Sequence, residues 1–157
     1  MSDSTNETPK VDINDLPAET LAFAERMFEA ARSGNSKLLV PAIEAGLPVN
    51  LTNTKGNTLL MLAAYAGHLD LTKALLDKGA DPNRENDLGQ SIMAGAVFKT
   101  HNEVVKALVE KGANPRSGVP TAIQTALMFN MTEMLDILGA TEEDKKAAVP
   151  QLPSMGP

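Results

Sequence analysis

The chain has 157 residues, of which 43% are hydrophobic, and a formal net charge of −6 at pH 7. This length predicts one domain with a core of ordinary size, and the absence of cysteine excludes disulfides, thiolate zinc sites and cysteine nucleophiles. The 14 Lys and Arg residues are scattered along the chain, which argues against a nucleic-acid partner because phosphate binding needs a positive face.

The polar N-terminal segment, residues 1–12, is expected to be a disordered tail. It lacks the apolar stretch of a signal peptide. No later run of the sequence approaches the roughly 18 apolar residues that indicate a membrane span. We therefore expect a soluble, cytoplasmic protein that does not bind membranes.

The first predicted unit, residues 17–50, begins with a long helix that reaches Arg32. Pro17 suits a first helical turn, and apolar residues recur along one helical face at Leu21, Ala24, Phe28 and Ala31. Pro41 falls where a second helix is expected, and it could kink that helix.

An internal repeat follows from the spacing of several landmarks. The segment GLPVN at 46–50 recurs as GADPN at 79–83 and as GANPR at 112–116, a step of 33 residues each time. The pairs Gly34 and Gly67, Gly56 and Gly89, and His68 and His101 share that step. One offset in independent landmarks predicts repeated structural units, here 51–83 and 84–116.

Both units have the same local plan. A turn containing Gly precedes a hydroxyl N-cap, Thr58 or Ser91. A short apolar helix, a break and a second helix follow, and the second helix ends at Gly79 or Gly112 in the manner of a left-handed C-cap. The predicted helices are 59–64, 69–77, 92–98 and 103–110, with breaks at Gly67-His68 and Thr100.

The last predicted unit, residues 117–140, aligns with its predecessor at an offset of 30, because three residues are missing from its turn at 116–120. A short helix is expected within 141–149, followed by a disordered tail at 150–157. The Pro-rich stretch 149–157 could be a linear docking motif or only a frayed terminus.

These residues resemble the ankyrin repeat family, whose unit reads G-x-T-P-L-H-x-A-A-x-x-G-H and ends in G-A-D-x-N. The match is GNTLLMLAAYAGH at 56–68, ending in GADPN at 79–83. The family's Pro and His are absent from every unit, and Thr100 stands where Gly is usual, so local capping geometry is in doubt. The resemblance implies an all-α solenoid of about four helix-turn-helix repeats, with short β-turn connections and degenerate terminal repeats as caps.

The resemblance also implies protein binding through a concave groove made by the turn tips and the first helix of each pair. Carried onto this sequence, the groove positions on the helices are Arg32, Tyr65, Phe98, Lys99, Met128 and Phe129, and those on the turn tips are Lys55, Asn57, Leu88 and Gln90.

Two interpretations of the predicted row of Tyr65, Phe98 and Phe129 stay open. Exposed aromatic rings in a row commonly mark binding sites. Alternatively, the rings fill gaps between repeats, and Phe129 could be covered by the C-terminal segment. Leu88 could be a contact or an ordinary exposed leucine.

No enzyme signature occurs in the sequence. The two histidines, His68 and His101, are explained by the repeat, and a metal site would need two further ligands. Nucleophile-elbow, P-loop and dinucleotide motifs are absent, so we expect no catalytic residue, metal or cofactor. The predicted function is protein binding by a chain that is monomeric when free; the alternative is an accessory or inhibitory subunit of one enzyme.

Overall fold

The structure, a computed structural model, describes residues 17–147, and the tails predicted at 1–12 and 150–157 and the Pro-rich stretch 149–157 lie outside that range. Within it the chain forms nine α-helices and two isolated β-bridges. The helices are α1 (Ala18–Ser33), α2 (Ser36–Glu44), α3 (Leu59–Tyr65), α4 (Leu69–Asp77), α5 (Ile92–Phe98), α6 (Asn102–Glu110), α7 (Ala122–Met128), α8 (Thr132–Leu138) and α9 (Glu142–Lys146). In this part of the chain, no helix combines the length and apolar composition needed to cross a bilayer.

The helices form four antiparallel pairs that stack in two rows. The first helices α1, α3, α5 and α7 pack against one another in succession, and the second helices α2, α4, α6 and α8 form the other row. One hydrophobic core runs between the rows, since no single pair can bury its own apolar face. The predicted all-α repeat solenoid is therefore confirmed.

Hydroxyl N-caps start three of the first helices, as the sequence predicts. The side chains of Thr58, Ser91 and Thr121 accept hydrogen bonds from the backbone N–H three residues later, at 3.1, 3.1 and 3.0 Å. Thr121 also forms a capping box with Gln124. The capping geometry is therefore kept although the family's Pro and His are missing.

The N-terminal pair closes the open end of the stack with a polar residue. Arg26 occupies the position at which the later first helices carry buried Leu59, Ile92 and Ala122, and its guanidinium lies 5.7 Å from the ring centre of Phe23. No repeat precedes it in the described residues, so a charged side chain here leaves no large apolar face exposed.

Helix α2 continues through Pro41.

Histidine–glycine contacts join neighbouring repeats. Nε2 of His68 donates to the carbonyl of Arg32 at 2.7 Å, and Nε2 of His101 donates to that of Tyr65 at 3.1 Å. Each ring covers a glycine of the preceding repeat, and a Cβ atom on Gly34 or Gly67 would lie 2.6 or 2.7 Å from ring atoms. Such distances are too short, so the repeat needs glycine wherever the next repeat supplies histidine.

Thr100 departs from this pattern because its following repeat has no histidine. Met131 occupies the position that corresponds to His101. The backbone N–H of Met131 donates to the carbonyl of Ala126, just as the backbone N–H of His101 donates to the carbonyl of Ala96. Thr100 keeps the left-handed backbone, with φ of 60°. The loss of glycine here is therefore coupled to the loss of the ring above it.

An ion pair holds the short helix α9 against the third repeat. Arg116 binds Asp144 through two hydrogen bonds, Nε to Oδ1 at 3.1 Å and a terminal nitrogen to Oδ2 at 2.5 Å. Asp144 also accepts from Thr141 in the N-terminal capping box of α9. The hydrogen bonds from Arg116, then those from Thr141, hold the pKa of the Asp144 carboxyl well below its usual range. The pair therefore stays ionised and links the end of the solenoid to α9.

Replacing Thr72 by Val is expected to raise the free energy of unfolding by about 1 kcal/mol. Thr72 on α4 is fully buried, and among residues 17–147 its hydroxyl has no hydrogen-bond partner. The equivalent position on α6 is the buried Val105. Valine keeps the shape and removes the unpaired polar group. Urea unfolding of both proteins measures the change.

Thr125 is the matched control, since its buried hydroxyl donates to the carbonyl of Thr121 at 2.8 Å. Thr125→Val removes a hydrogen bond that is made, so it should not stabilise the protein. Equal effects of the two substitutions would show that the hydroxyl of Thr72 is satisfied in solution.

Candidate partner-binding surface

The first helices place one large side chain of each repeat at the same point near their C-terminal ends. Tyr65 and Phe98 end α3 and α5, and their exposed fractions are 47% and 53%. Arg32 holds this position in α1 and is exposed, whereas Met128 in α7 is half-buried. Stacking at a 33-residue step aligns these side chains along the solenoid, and Phe129 follows directly with an exposed fraction of 39%.

The rings also contact the next repeat. The rings of Phe98 and Phe129 meet edge to face, with centres 5.6 Å apart and an interplanar angle of 66°. Nζ of Lys99 lies 5.1 Å from the ring centre of Tyr65. Tyr65, Phe98 and Phe129, called the aromatic row below, therefore bridge repeats and still present ring surface to solvent.

Gly95 makes room for Tyr65. A Cβ atom on Gly95 would lie 2.9 Å from Cδ1 of Tyr65, closer than carbon atoms tolerate. Glycine inside a helix costs about 1 kcal/mol relative to alanine, so its place in the middle of α5 calls for a physical reason. The close approach of the ring to the α5 backbone supplies that reason and fixes the ring's position.

The turn tips form a hydrogen-bonded chain beside the aromatic row. The side-chain amide of Asn86 donates to Oδ1 of Asn57 at 2.9 Å and to Oε1 of Gln90 at 2.8 Å. The backbone N–H of Asp87 donates to the carbonyl of Lys55 at 3.1 Å. Asn57, expected as a partner contact, thus already helps to hold neighbouring tips together, and Gln90, also expected as a contact, is bonded within its own tip, while the Lys55 side chain is exposed.

Two apolar side chains protrude from adjacent tips. Leu88 has an exposed fraction of 78% and Val119 of 77%. The backbone N–H of Val119 donates to the carbonyl of Gly89 at 3.0 Å, which fixes the last turn against the tip that carries Leu88. Sequence reasoning found the shortened turn at 116–120 but missed Val119, because its exposure depends on this contact between repeats.

Charge is distributed unevenly between the first and second helices of the last three repeats, whereas α1 carries charges of both signs. Helices α3, α5 and α7 contain no charged residue, whereas α4, α6 and α8 carry several carboxylates. Near the aromatic row, Arg32 pairs with Glu29 at 3.2 Å. Within residues 17–147, no carboxylate oxygen lies within 4.0 Å of the Nζ atom of Lys55 or Lys99.

The side chains described above are mainly exposed apolar and cationic groups. In the described range, no group of three or more His, Asp or Glu residues is placed to hold a metal ion. The rings of His68 and His101 are engaged by backbone carbonyls. The exposed groups are aromatic, aliphatic and cationic side chains on a rigid helical stack.

A solenoid of stacked helix pairs joined by hairpin-like tips is a repeat scaffold. The family model of ankyrin repeats matches residues 27–119 with three copies, which is more than half of the chain, and the chain belongs to the ankyrin repeat family. Ankyrin repeats generally mediate protein–protein interactions and are not catalytic.

A similar curated protein is an ankyrin repeat protein of Pseudomonas aeruginosa, PA3287, with 50% identity over 54 residues. The aligned part covers 34% of this chain and 32% of that protein. The chain thus spans about a third of the length of this relative.

Proposed function

We propose that the chain binds a partner protein through the aromatic row and the neighbouring turn tips. The observation that carries the proposal is the exposure of Tyr65, Phe98 and Phe129 at corresponding points of successive repeats. Aromatic residues are enriched among the side chains that dominate binding energy.

Pre-organisation supports this surface as a docking site. Gly95 and Lys99 fix the position of Tyr65, and Phe98 packs against Phe129. Side chains that are already held lose less conformational entropy when a partner covers them. A partner would therefore gain apolar contact area without having to order the rings first.

The proposed footprint is weighted toward the C-terminal half of the stack. Leu88 and Val119 extend it along the tips, and Met128 and Phe129 extend it along the helices. Arg32, Lys55 and Lys99 would lie at its rim, and Asn57 and Gln90 would contribute by holding the tips in place. These five residues complete the surface, and the rings are expected to supply most of the affinity.

Replacing Tyr65 and Phe98 together by Ala is expected to weaken partner binding at least about 100-fold, since losing two central aromatic anchors costs about 3 kcal/mol or more. Partners are first captured from native cell extract with the full chain and identified by mass spectrometry. The dissociation constant of a purified partner is then measured for the wild type and the double variant by calorimetry.

Phe23→Ala is the matched control. Phe23 is an aromatic residue with an exposed fraction of 37% at the N-terminal end of the stack, away from the aromatic row. Its removal should leave partner binding unchanged. Unchanged binding by the double variant, with a large loss of unfolding free energy, would show that the rings serve packing between repeats.

The stoichiometry of the captured material separates the two kinds of binding protein that the sequence allows. Several substoichiometric partners indicate a general binding module. One enzyme recovered in equal amount indicates an accessory or inhibitory subunit that uses the same surface.

A further inference from the structure

We infer that the aromatic row binds a partner segment in which a carboxylate lies next to an apolar side chain, with the carboxylate placed at Lys99. This inference rests on the proposed function and specifies the chemistry of the partner. It is carried by the cation that lies over the ring of Tyr65 and by the distribution of charge around it.

Lys99 presents a positive charge that the described part of the chain does not neutralise. Its side chain is exposed, and its Nζ atom lies 5.1 Å from the ring centre of Tyr65. Lys106 on α6, by contrast, pairs with Glu103 at 3.0 Å, and Lys78, which directly follows α4, pairs with Glu44 at 2.7 Å. The ammonium of Lys99 is held at the aromatic row and is available to a carboxylate from outside.

The position of Lys99 brings charge and apolar surface together. An ammonium over a ring is restrained by the attraction of the ring face, so a carboxylate that pairs with it would lie beside Tyr65. The same partner segment would meet the edge of the Phe98 and Phe129 pair with an apolar side chain. One cation next to three rings thus favours a short motif that combines both features.

The charges around the row point the same way. Helices α3, α5 and α7 have no charged residue. Arg32 stands at the same helix position in the first repeat, although Glu29 pairs with it. The second helices α4, α6 and α8 carry Lys73 and Lys106 but a larger number of carboxylates, namely Asp70, Asp77, Glu103, Glu110, Glu133 and Asp136.

A basic partner segment would be drawn to those carboxylates, whereas an acidic one would be repelled from them. The tips carry Lys55 together with the exposed Glu85 and Asp87, so they add no net positive charge. The aromatic row is therefore the surface on which an acidic segment with an apolar anchor fits.

Selection of a random dodecapeptide library on phage with the immobilised full chain tests the inference. Enriched peptides should combine Asp or Glu with an aromatic or large aliphatic residue. A fluorescent synthetic copy of the most enriched peptide is then titrated by anisotropy. Lys99→Glu should raise its dissociation constant about five- to tenfold, since it exchanges an attraction for a repulsion at a solvated site.

Two further variants separate charge from packing. Lys99→Met keeps an aliphatic stem beside Tyr65 but removes the charge, and it should weaken binding by a smaller factor than Lys99→Glu. Lys106→Glu makes the same charge reversal on α6, in the other row of helices. It should change the dissociation constant by no more than about twofold, because salt largely screens exposed charges that lie farther apart than the Debye length of about 10 Å.

Two results would overturn the acidic motif and keep the proposed surface. One is a set of enriched peptides without an excess of carboxylates. The other is binding that survives Lys99→Glu and is lost in the Tyr65→Ala, Phe98→Ala double variant. Peptides that bind independently of the rings, or an absence of enrichment, would overturn both.

Discussion

Gly67→Ala is expected to lower the free energy of unfolding by about 3 kcal/mol. Gly67 has φ of +84°, a left-handed conformation that costs L-residues about 1–2 kcal/mol. The added Cβ would also lie 2.7 Å from Cε1 of His101, so the ring must leave its position over the glycine. Its hydrogen bond to the carbonyl of Tyr65 would then be lost. Urea unfolding at constant pH measures the change.

A double-mutant cycle isolates the contribution of the histidine ring. When His101→Ala has already removed the ring, Gly67→Ala should cost only the backbone strain, about 1 kcal/mol. The interaction energy between the two sites should therefore be about 1–2 kcal/mol, in the range found for residues in direct contact. Strictly additive effects would contradict the proposed dependence of the glycine on the ring.

Thr100 provides a control within the same chain. It has the same left-handed backbone, and Met131 stands where the other repeats have histidine. Thr100→Gly relieves backbone strain but loosens the unfolded chain, so the free energy of unfolding should change by no more than about 1 kcal/mol. The contrast with Gly67 would locate the large effect in the contact between repeats.

Leu75→Ala is expected to lower the free energy of unfolding by about 3 kcal/mol, within the usual range of 2–5 kcal/mol for a fully buried leucine. Leu75 lies on α4, is inaccessible to solvent and belongs to the core between the two rows of helices. Removal of three carbon atoms there leaves a cavity that neighbouring repeats can fill only in part. Because each repeat is stabilised by its neighbours, the damage extends to both sides of α4.

Leu88→Ala removes the same atoms from an exposed tip and is the matched control. It should change the free energy of unfolding by less than about 0.5 kcal/mol, measured in the same urea titration. A cost of 2 kcal/mol or more at Leu88 would show that its side chain is covered in solution. A cost below about 1 kcal/mol at Leu75 would contradict the packed core between α3, α4 and α6.

Local features of the repeat were predictable from the sequence. Helices α4 and α5 have the predicted bounds, Leu69–Asp77 and Ile92–Phe98, and α6 begins one residue earlier than predicted, at Asn102. The hydroxyl caps Thr58 and Ser91 act as expected. Caps, turns and helix periods are decided by residues three or four apart, so their signals can be read along the chain.

Properties of single side chains in the stack were less predictable. Asn57 and Gln90 were expected to be free for a partner, yet both bond to Asn86. The exposure of Val119 went unnoticed because it depends on a bond to Gly89. The contacts of Asn57 and Val119 link different repeats, so their partners cannot be chosen from local sequence, whereas the bond between Asn86 and Gln90 lies within one turn.

The sequence by itself therefore determined the all-α repeat solenoid, because a 33-residue period with matching caps and breaks admits few other folds. It also put the chain's single Tyr and two of its four Phe near the ends of first helices. Only the tertiary structure decided that Tyr65, Phe98 and Phe129 each contact a side chain of a neighbouring repeat and still remain exposed. The physical reason is that the exposure of a side chain depends on the shape and size of its neighbours in the adjacent repeat. Such a neighbour, for example Gly95 for Tyr65, is about 30 residues away in sequence and comes into contact only when the repeats stack.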